Sequence, residues 1–345
     1  MSKLVYFIIP LVILCSGIAI TQSHRSGPLP TNQFDELKHL SAQVSVINTD
    51  APIGLNFSGE RVPLEDELIK KRMDREINKN MKYQAATMQT FKRAYRYKDD
   101  FVKTLKRKGV PEDFFYMAVA ESNLSNAKSP VGARGFWQFM RSTAAYYGLE
   151  VSATVDERYH PEKATAAACQ YLLDAHKQLG SWTLVAAAYN MGSGGIQKAM
   201  RRNGHRDYYR LDLNRETSQY MYRILGYKVI MEEPFRFGFS LNERKMYRPI
   251  PYYTVNVTQS IEDLVAFAHD NDHTYRELKT LNPWLISDHL EVAEGKSYKI
   301  RFPLTKEWDA KEMLVESADK LDQIDAAYQS RAELPTNEGI ASAAK

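Results

Sequence analysis

The chain has 345 residues, 44% hydrophobic and 26% charged, enough for one or two cores plus extensions. Its formal net charge of +4 is concentrated, with 15 Lys/Arg against 8 Asp/Glu between Glu60 and Lys108, which suits an anionic polymer or a membrane face. No nucleic-acid recognition motif accompanies that charge, and there is no H-E-x-x-H sequence, Cys/His cluster or phosphate loop, so no nucleic-acid partner, metal or cofactor is expected.

Leu4 to Ile20 is an unbroken apolar run behind Lys3, which reads residues 1–20 as a signal peptide, with Ala19 at a cleavable position, or as an N-terminal membrane anchor. Of the two cysteines, Cys15 lies in that run and Cys169 reads as a small buried hydrophobe, so removal of the leader leaves no intrachain disulfide. Residues 21–60 are polar, with Pro28 and Pro30, and read as a linker. Helices are predicted over Leu64–Asn80 and Tyr83–Arg107; in the second, Met88, Phe91, Tyr95, Val102 and Leu105 recur at helical spacing. Gly109 ends it, and Pro111 opens the next helix with Glu112 and Asp113 in its first turn.

That helix, rich in Phe114, Phe115, Met117 and Val119, delivers Glu121 into a polar loop containing Pro130, Gly132 and Gly135. A carboxyl passing from an apolar helix into such a turn is placed to have its proton retained by partial burial, although residue type alone favours a solvated helix-end Glu. Phe136–Tyr147 reads as a helix stopped at Gly148, and Pro161 starts an Ala-rich helix to Leu179. Trp182–Tyr189 is a short apolar helix that breaks at the Asn190–Gly195 turn cluster, another helix begins near Ile196, and the last spans Glu216–Met231. No segment between Leu64 and Met231 has strand periodicity, so residues 61–234 form an all-α domain. After a connector from Phe235 to Pro251, a strand (Tyr252–Val257), two short helices (Ser260–His269, Thr274–Leu281) and a strand (Tyr298–Phe302) give a small β-α-α-β module within residues 235–303. Residues 304–345 read as a charged helical stretch and a frayed tail.

Three ordered blocks, Glu121-Ser122, Gly135-Phe136-Trp137-Gln138 and Ala188-Tyr189-Asn190, resemble the family 1 lytic transglycosylases. Asp156-Glu157-Arg158 and Arg215-Glu216-Thr217-Ser218-Gln219-Tyr220 also look like that family, and the resemblance covers roughly Pro63 to Met231. Phe136 and Trp137 stand where Leu and Met are commonest, which would bear on the width and sugar preference of the cleft. The C-terminal module is similar to a LysM domain, although Thr258-Gln259-Ser260-Ile261 replaces the usual Gly-Asp-Thr-Leu start, so glycan binding and a purely structural role both stay open.

The resemblance implies a mainly α protein, a lysozyme-like catalytic domain followed by the LysM-like module, acting on peptidoglycan glycan strands in the periplasm of a bacterial envelope, free or membrane-anchored. Glu121 would be the catalytic acid and then base. Ser122 would orient the carboxylate or touch the sugar, Gln138 would bind substrate amide or hydroxyl groups, Tyr189 would hydrogen-bond to Glu121 or the substrate, and Asn190 would bind an acetamido group. Two other readings remain: a lysozyme-like hydrolase, with Asp156 as the second carboxylate although that residue reads more simply as a cap or a partner of Arg158, and a non-catalytic glycan-binding scaffold.

Overall fold

A computed structural model describes residues 50–304. The leader, most of the linker and the C-terminal tail lie outside the described residues. Among those described, no helix is long and apolar enough to cross a membrane.

The folded part opens on a small antiparallel hairpin, β1 (Asn56–Phe57) and β2 (Glu60–Arg61), turned at Ser58-Gly59. The polarity of residues 50–60 reads as linker, but Leu55, Phe57 and Val62 are buried in the main core, with Phe57 against Phe114 at 5.1 Å. The polar residues of this stretch have structural partners. Glu60 accepts from the Thr183 N–H (2.9 Å) and the Ser181 hydroxyl (2.8 Å), and so caps a distant helix start.

Eight helices follow before the connector: α1 (Glu67–Lys82), α2 (Gln84–Lys108), α3 (Phe114–Ser122), α4 (Arg141–Tyr146), α5 (Pro161–Leu179), α6 (Trp182–Met191), α7 (Ser193–Asn203) and α8 (Arg215–Glu232). Most lie within a few residues of the helices read from periodicity and caps. Pro111 sits in the turn before α3 rather than at its start, and Asp113 leaves that helix uncapped to accept from the Ser58 N–H and pair with Lys228 (2.7 Å). The Asn190–Gly195 cluster is mostly helical: only Gly192, at φ 84° and ψ 144°, breaks the chain, a backbone region closed to side-chain-bearing residues.

Helix α3 is the centre of the fold. Phe114 through Val119 are all buried, so it is apolar on every side and must be surrounded. It packs on α2 and α8, while α8 also meets α1 and α6. Phe101 of α2 stacks on Trp137 at 6.0 Å and meets Phe136 edge-on at 5.6 Å, which fixes the post-α3 loop to the core. Cys169 is fully buried in α5, and burial pushes its thiol up to about 12, as expected for an inert hydrophobe.

The connector packs onto this core through Phe237 and Phe239. The module then runs β3 (Tyr252–Val257), α9 (Leu264–Asp270), α10 (Tyr275–Leu281) and β4 (Tyr298–Pro303), with β3 and β4 antiparallel in the register Val257↔Tyr298. Its core of Leu264, Leu278, Trp284, Ile300 and Phe302 also takes in Val155 from the helical domain.

Candidate active site

Glu121 occupies the last turn of α3, half-buried, where the negative end of the helix already disfavours a carboxylate. Burial raises its pKa to about 7, opposed by a hydrogen bond from the Tyr220 hydroxyl and by the charge of Arg223, while the charge of Glu216 pushes the same way as burial. Tyr220, Arg223 and Glu216 all come from α8, which packs along α3. The tyrosine phenols near the carboxyl are held neutral: burial and the adjacent Glu121 raise the pKa values of both Tyr220 and Tyr189 far above the usual phenol range. The site therefore presents a carboxyl whose proton is held up towards neutral pH by burial, beside neutral phenols.

The expected helix over Phe136–Tyr147 forms only from Arg141. Phe136 to Gln138 is a turn instead, because tertiary bonds claim its backbone. The Ser122 hydroxyl donates to the Phe136 carbonyl (2.8 Å) and the Tyr189 hydroxyl donates to the Trp137 carbonyl (2.6 Å). Gln138 follows at φ 50°, a left-handed conformation costing a non-glycine residue on the order of 1 kcal/mol, and its Nε2 donates back to the Gly135 (2.8 Å) and Ala127 (3.1 Å) carbonyls. The three sequence blocks thus meet at this one turn.

The roles expected of these residues change accordingly. Ser122 hydrogen-bonds the Phe136 and Ala118 carbonyls and holds the turn rather than the carboxylate. Tyr189 also anchors the turn, and the phenol that donates to Glu121 is Tyr220, to which the sequence reading gave no role. Its signal was its place in the Arg215–Tyr220 block. Asn190 accepts from the buried Thr217 hydroxyl (2.8 Å) and donates to Glu216 (3.4 Å), which fixes the start of α8 beside the site. Phe136 and Trp137 point into the core, so these residues do not set the width of a cleft. Asp156 is buried, and Arg158 holds both of its oxygens (2.8 and 2.7 Å), leaving it no place for a reacting water. Nowhere among the described residues do three His, Cys, Asp or Glu side chains gather as metal ligands would.

Comparison with known proteins places the three blocks within one matched segment. Residues 101–211 match the family model described as Transglycosylase SLT domain, and residues 253–306 match the Soluble lytic transglycosylase C-terminal LysM-like domain. The first match contains Glu121, Ser122, Gln138, Tyr189 and Asn190 and stops short of Tyr220. The chain is 32% identical over 143 residues to membrane-bound lytic murein transglycosylase D of Escherichia coli K12, and equally to that of strain CFT073. That alignment covers 40% of this chain and 32% of the relative, so the chain spans about a third of the length of the curated relatives it matches. Among solved structures, the lytic transglycosylase Slt of Pseudomonas aeruginosa in an inactive mutant form shares 24% identity at a TM-score of 0.34, over 44% of this chain and 26% of that one. The 70 kDa soluble lytic transglycosylase of Escherichia coli gives 24% and 0.35, over 44% and 27%. At that level of superposition neither bears on the site.

Proposed function

We propose that the protein is a peptidoglycan lytic transglycosylase that uses Glu121 as its one acid–base group. The observation that carries this reading is the state of Glu121: a carboxyl raised to about 7 by burial, steadied by the neutral Tyr220 phenol, inside the segment that matches the transglycosylase model. A group with that pKa can give a proton and take one back at neutral pH.

In this reading protonated Glu121 donates to the oxygen bridging N-acetylmuramic acid and N-acetylglucosamine, and the C–O bond to the muramoyl anomeric carbon breaks. The substrate's own acetamido group stabilises the positive charge there. The Glu121 carboxylate then takes the proton of the 6-hydroxyl of the same muramoyl sugar as that oxygen bonds to the anomeric carbon. The product has a 1,6-anhydromuramoyl end, no water is consumed, and Glu121 regains its proton. The amides of Gln138 and Asn190 are bonded within the protein, to the Gly135 and Ala127 carbonyls and to Thr217 and Glu216, so in this reading they would meet the substrate's hydroxyl and acetamido groups only by exchanging those bonds. The apolar run at residues 4–20 would place the enzyme in the bacterial periplasm, and the C-terminal module would add contact with the glycan.

A hydrolase on the same fold would need a second carboxylate to handle water. Asp156 is occupied by Arg158, and the acid whose charge acts on Glu121 is Glu216. Mass spectrometry of muropeptides released from purified peptidoglycan separates the two. Anhydromuramoyl ends from the wild type, absent with Glu121→Gln, are the expected result. Reducing ends would make the protein a hydrolase with Glu216 as its second carboxylate. Equal release by both proteins would remove Glu121 from the chemistry.

A further inference from the structure

The segment from Glu150 to His160 faces two ways. Towards the C-terminal module it behaves as an extra edge. Val155 is fully buried in the module's core and bridges Leu285, the Asp156 N–H donates to the Trp284 carbonyl (2.8 Å), and the Ile286 N–H donates to the Thr154 carbonyl (2.9 Å). Side chains reinforce the join: the Tyr298 hydroxyl donates to Glu150 (2.9 Å), Arg301 pairs with Glu162 at the start of α5, and Trp284 stacks on His160 at 5.9 Å.

Towards the site, the same segment carries Arg158. Its Nε and Nη2 take both oxygens of Asp156, and its Nη1 donates to the Gly132 and Phe139 carbonyls, each at 3.1 Å. Those two carbonyls flank the turn that carries Gln138. The contact is close enough that a Cβ on Gly135 would sit 1.8 Å from the Arg158 carbonyl oxygen, so only glycine fits there. Between α3 and α4 no regular helix or strand supports this loop, and one of its residues, Gln138, is held in a left-handed conformation. Its shape therefore depends on outside ties. Ser122, Tyr189 and Thr165, which accepts from the Trp137 indole N–H (2.9 Å), supply ties from three helices, and Arg158 supplies the tie from the strap.

We infer that Arg158 is a positioning residue for the Gln138 turn and that the LysM-like module is its anchor, a fixed brace of the active site rather than a separately tethered wall-binding domain. Module, strap and turn form one chain of contacts: Trp284 and Leu285 hold Thr154–Asp156, Asp156 aims Arg158, and Arg158 closes the loop around Gln138. A lysine at 158 keeps the charge beside Asp156 but cannot reach the carboxylate and both carbonyls at once.

The test uses the full chain. Arg158→Lys is expected to speed amide hydrogen exchange at residues 132–139 by roughly tenfold while exchange in α3 and α8 is unchanged. Its KM for peptidoglycan should rise by roughly tenfold, with kcat and the midpoint of its pH profile unchanged, because Tyr220 and Glu121 are not touched. A purely structural role would instead lower kcat with the folded fraction and leave KM alone. The second variant, Glu150→Gln with Arg301→Gln, loosens the join at half-buried positions far from the chemistry. It is expected to speed exchange of the same amides by roughly threefold. Unchanged exchange in both variants, or a fall in kcat with a moved pH midpoint, would overturn the inference. Faster exchange with Arg158→Lys alone would overturn the anchoring role of the module. The kinetic arm rests on the transglycosylase reading and the exchange arm does not, so a wild type that releases no anhydromuramoyl ends would sink that reading and leave the brace decided by exchange.

Discussion

Two carboxylates mark two regions of this molecule. Asp156, in the strap between the domains, is the more deeply buried, and it is met by the guanidinium of Arg158, which is itself buried. Glu121, at the end of α3, is half-buried, and its bonded partner is the neutral phenol of Tyr220. Burial alone does not distinguish a structural carboxylate from a reactive one. The partner does: the Arg158 guanidinium ties Asp156 into the strap at both oxygens, while Glu121, desolvated beside a neutral donor, has its pKa raised to about 7. In the proposed reading the difference divides the work, with Asp156 shaping the loop and Glu121 carrying the proton transfers.

The comparison is broken most severely at its reactive side. Glu121→Gln should lower the rate of anhydromuramoyl release by at least about a thousandfold, since it removes both proton transfers. The same variant should not cost stability. Folding raises the pKa of this group above its ordinary value of 4.5 to about 7, so the stabilising contribution of its protonated form is complete below 4.5 and is lost as pH rises through 7. Above pH 7 Glu121→Gln should therefore be more stable than the wild type relative to acid pH, by at most on the order of 3 kcal/mol, which denaturant unfolding at pH 5 and pH 8 will measure.

The structural side should respond in the opposite sense. Asp156→Ala leaves Arg158 buried without its partner and should cost about 3–5 kcal/mol in unfolding free energy, read from urea transitions. A wild-type transition midpoint in that variant would show that the pair is not what holds the strap.

Two smaller changes sharpen the account of Glu121. Tyr220→Phe removes the hydrogen bond that favours the ionised carboxylate, so the alkaline limb of the pH–rate profile should move up by about one unit. A downward shift would mean that the phenol supports the protonated form. Glu216→Gln removes a charge that raises the pKa of Glu121, and the same limb should move down by a few tenths of a unit, roughly the effect of one exposed neighbouring charge.

Much of the catalytic core was legible in the sequence for local reasons. The helices announce themselves by apolar spacing, and their ends by Gly109, Pro161 and Gly180. Glu121 was legible as a carboxyl leaving an apolar helix, and the three blocks assign it a task. What the sequence did not show depends on contacts between distant residues. Phe136, Met140, Ala144 and Tyr147 have helical spacing, yet Ser122 and Tyr189 capture the carbonyls of residues 136 and 137 and turn the first part out of the helix. Tyr220 is one of several tyrosines on α8, and only the packing of α8 on α3 selects it, 99 residues away from its partner. The β1–β2 hairpin was hidden in a polar stretch although Ser58-Gly59 is a turn signal, because its polar residues find partners far along the chain. The join between strap and module combines backbone bonds, which carry no residue-type signature, with side-chain contacts such as Glu150 with Tyr298 and Glu162 with Arg301, whose partners lie far along the chain.

The most direct measurement is the titration of Glu121 itself, followed by carbon NMR of glutamate labelled at its side-chain carboxyl carbon in the full chain, with Glu121→Gln to assign the signal. A midpoint close to 7 is the predicted result, and it would establish a carboxyl able to serve as acid and then base at neutral pH. A midpoint near the ordinary 4.5 would contradict the account, since Glu121 would then be ionised throughout the working range and no more than a surface charge at a helix end.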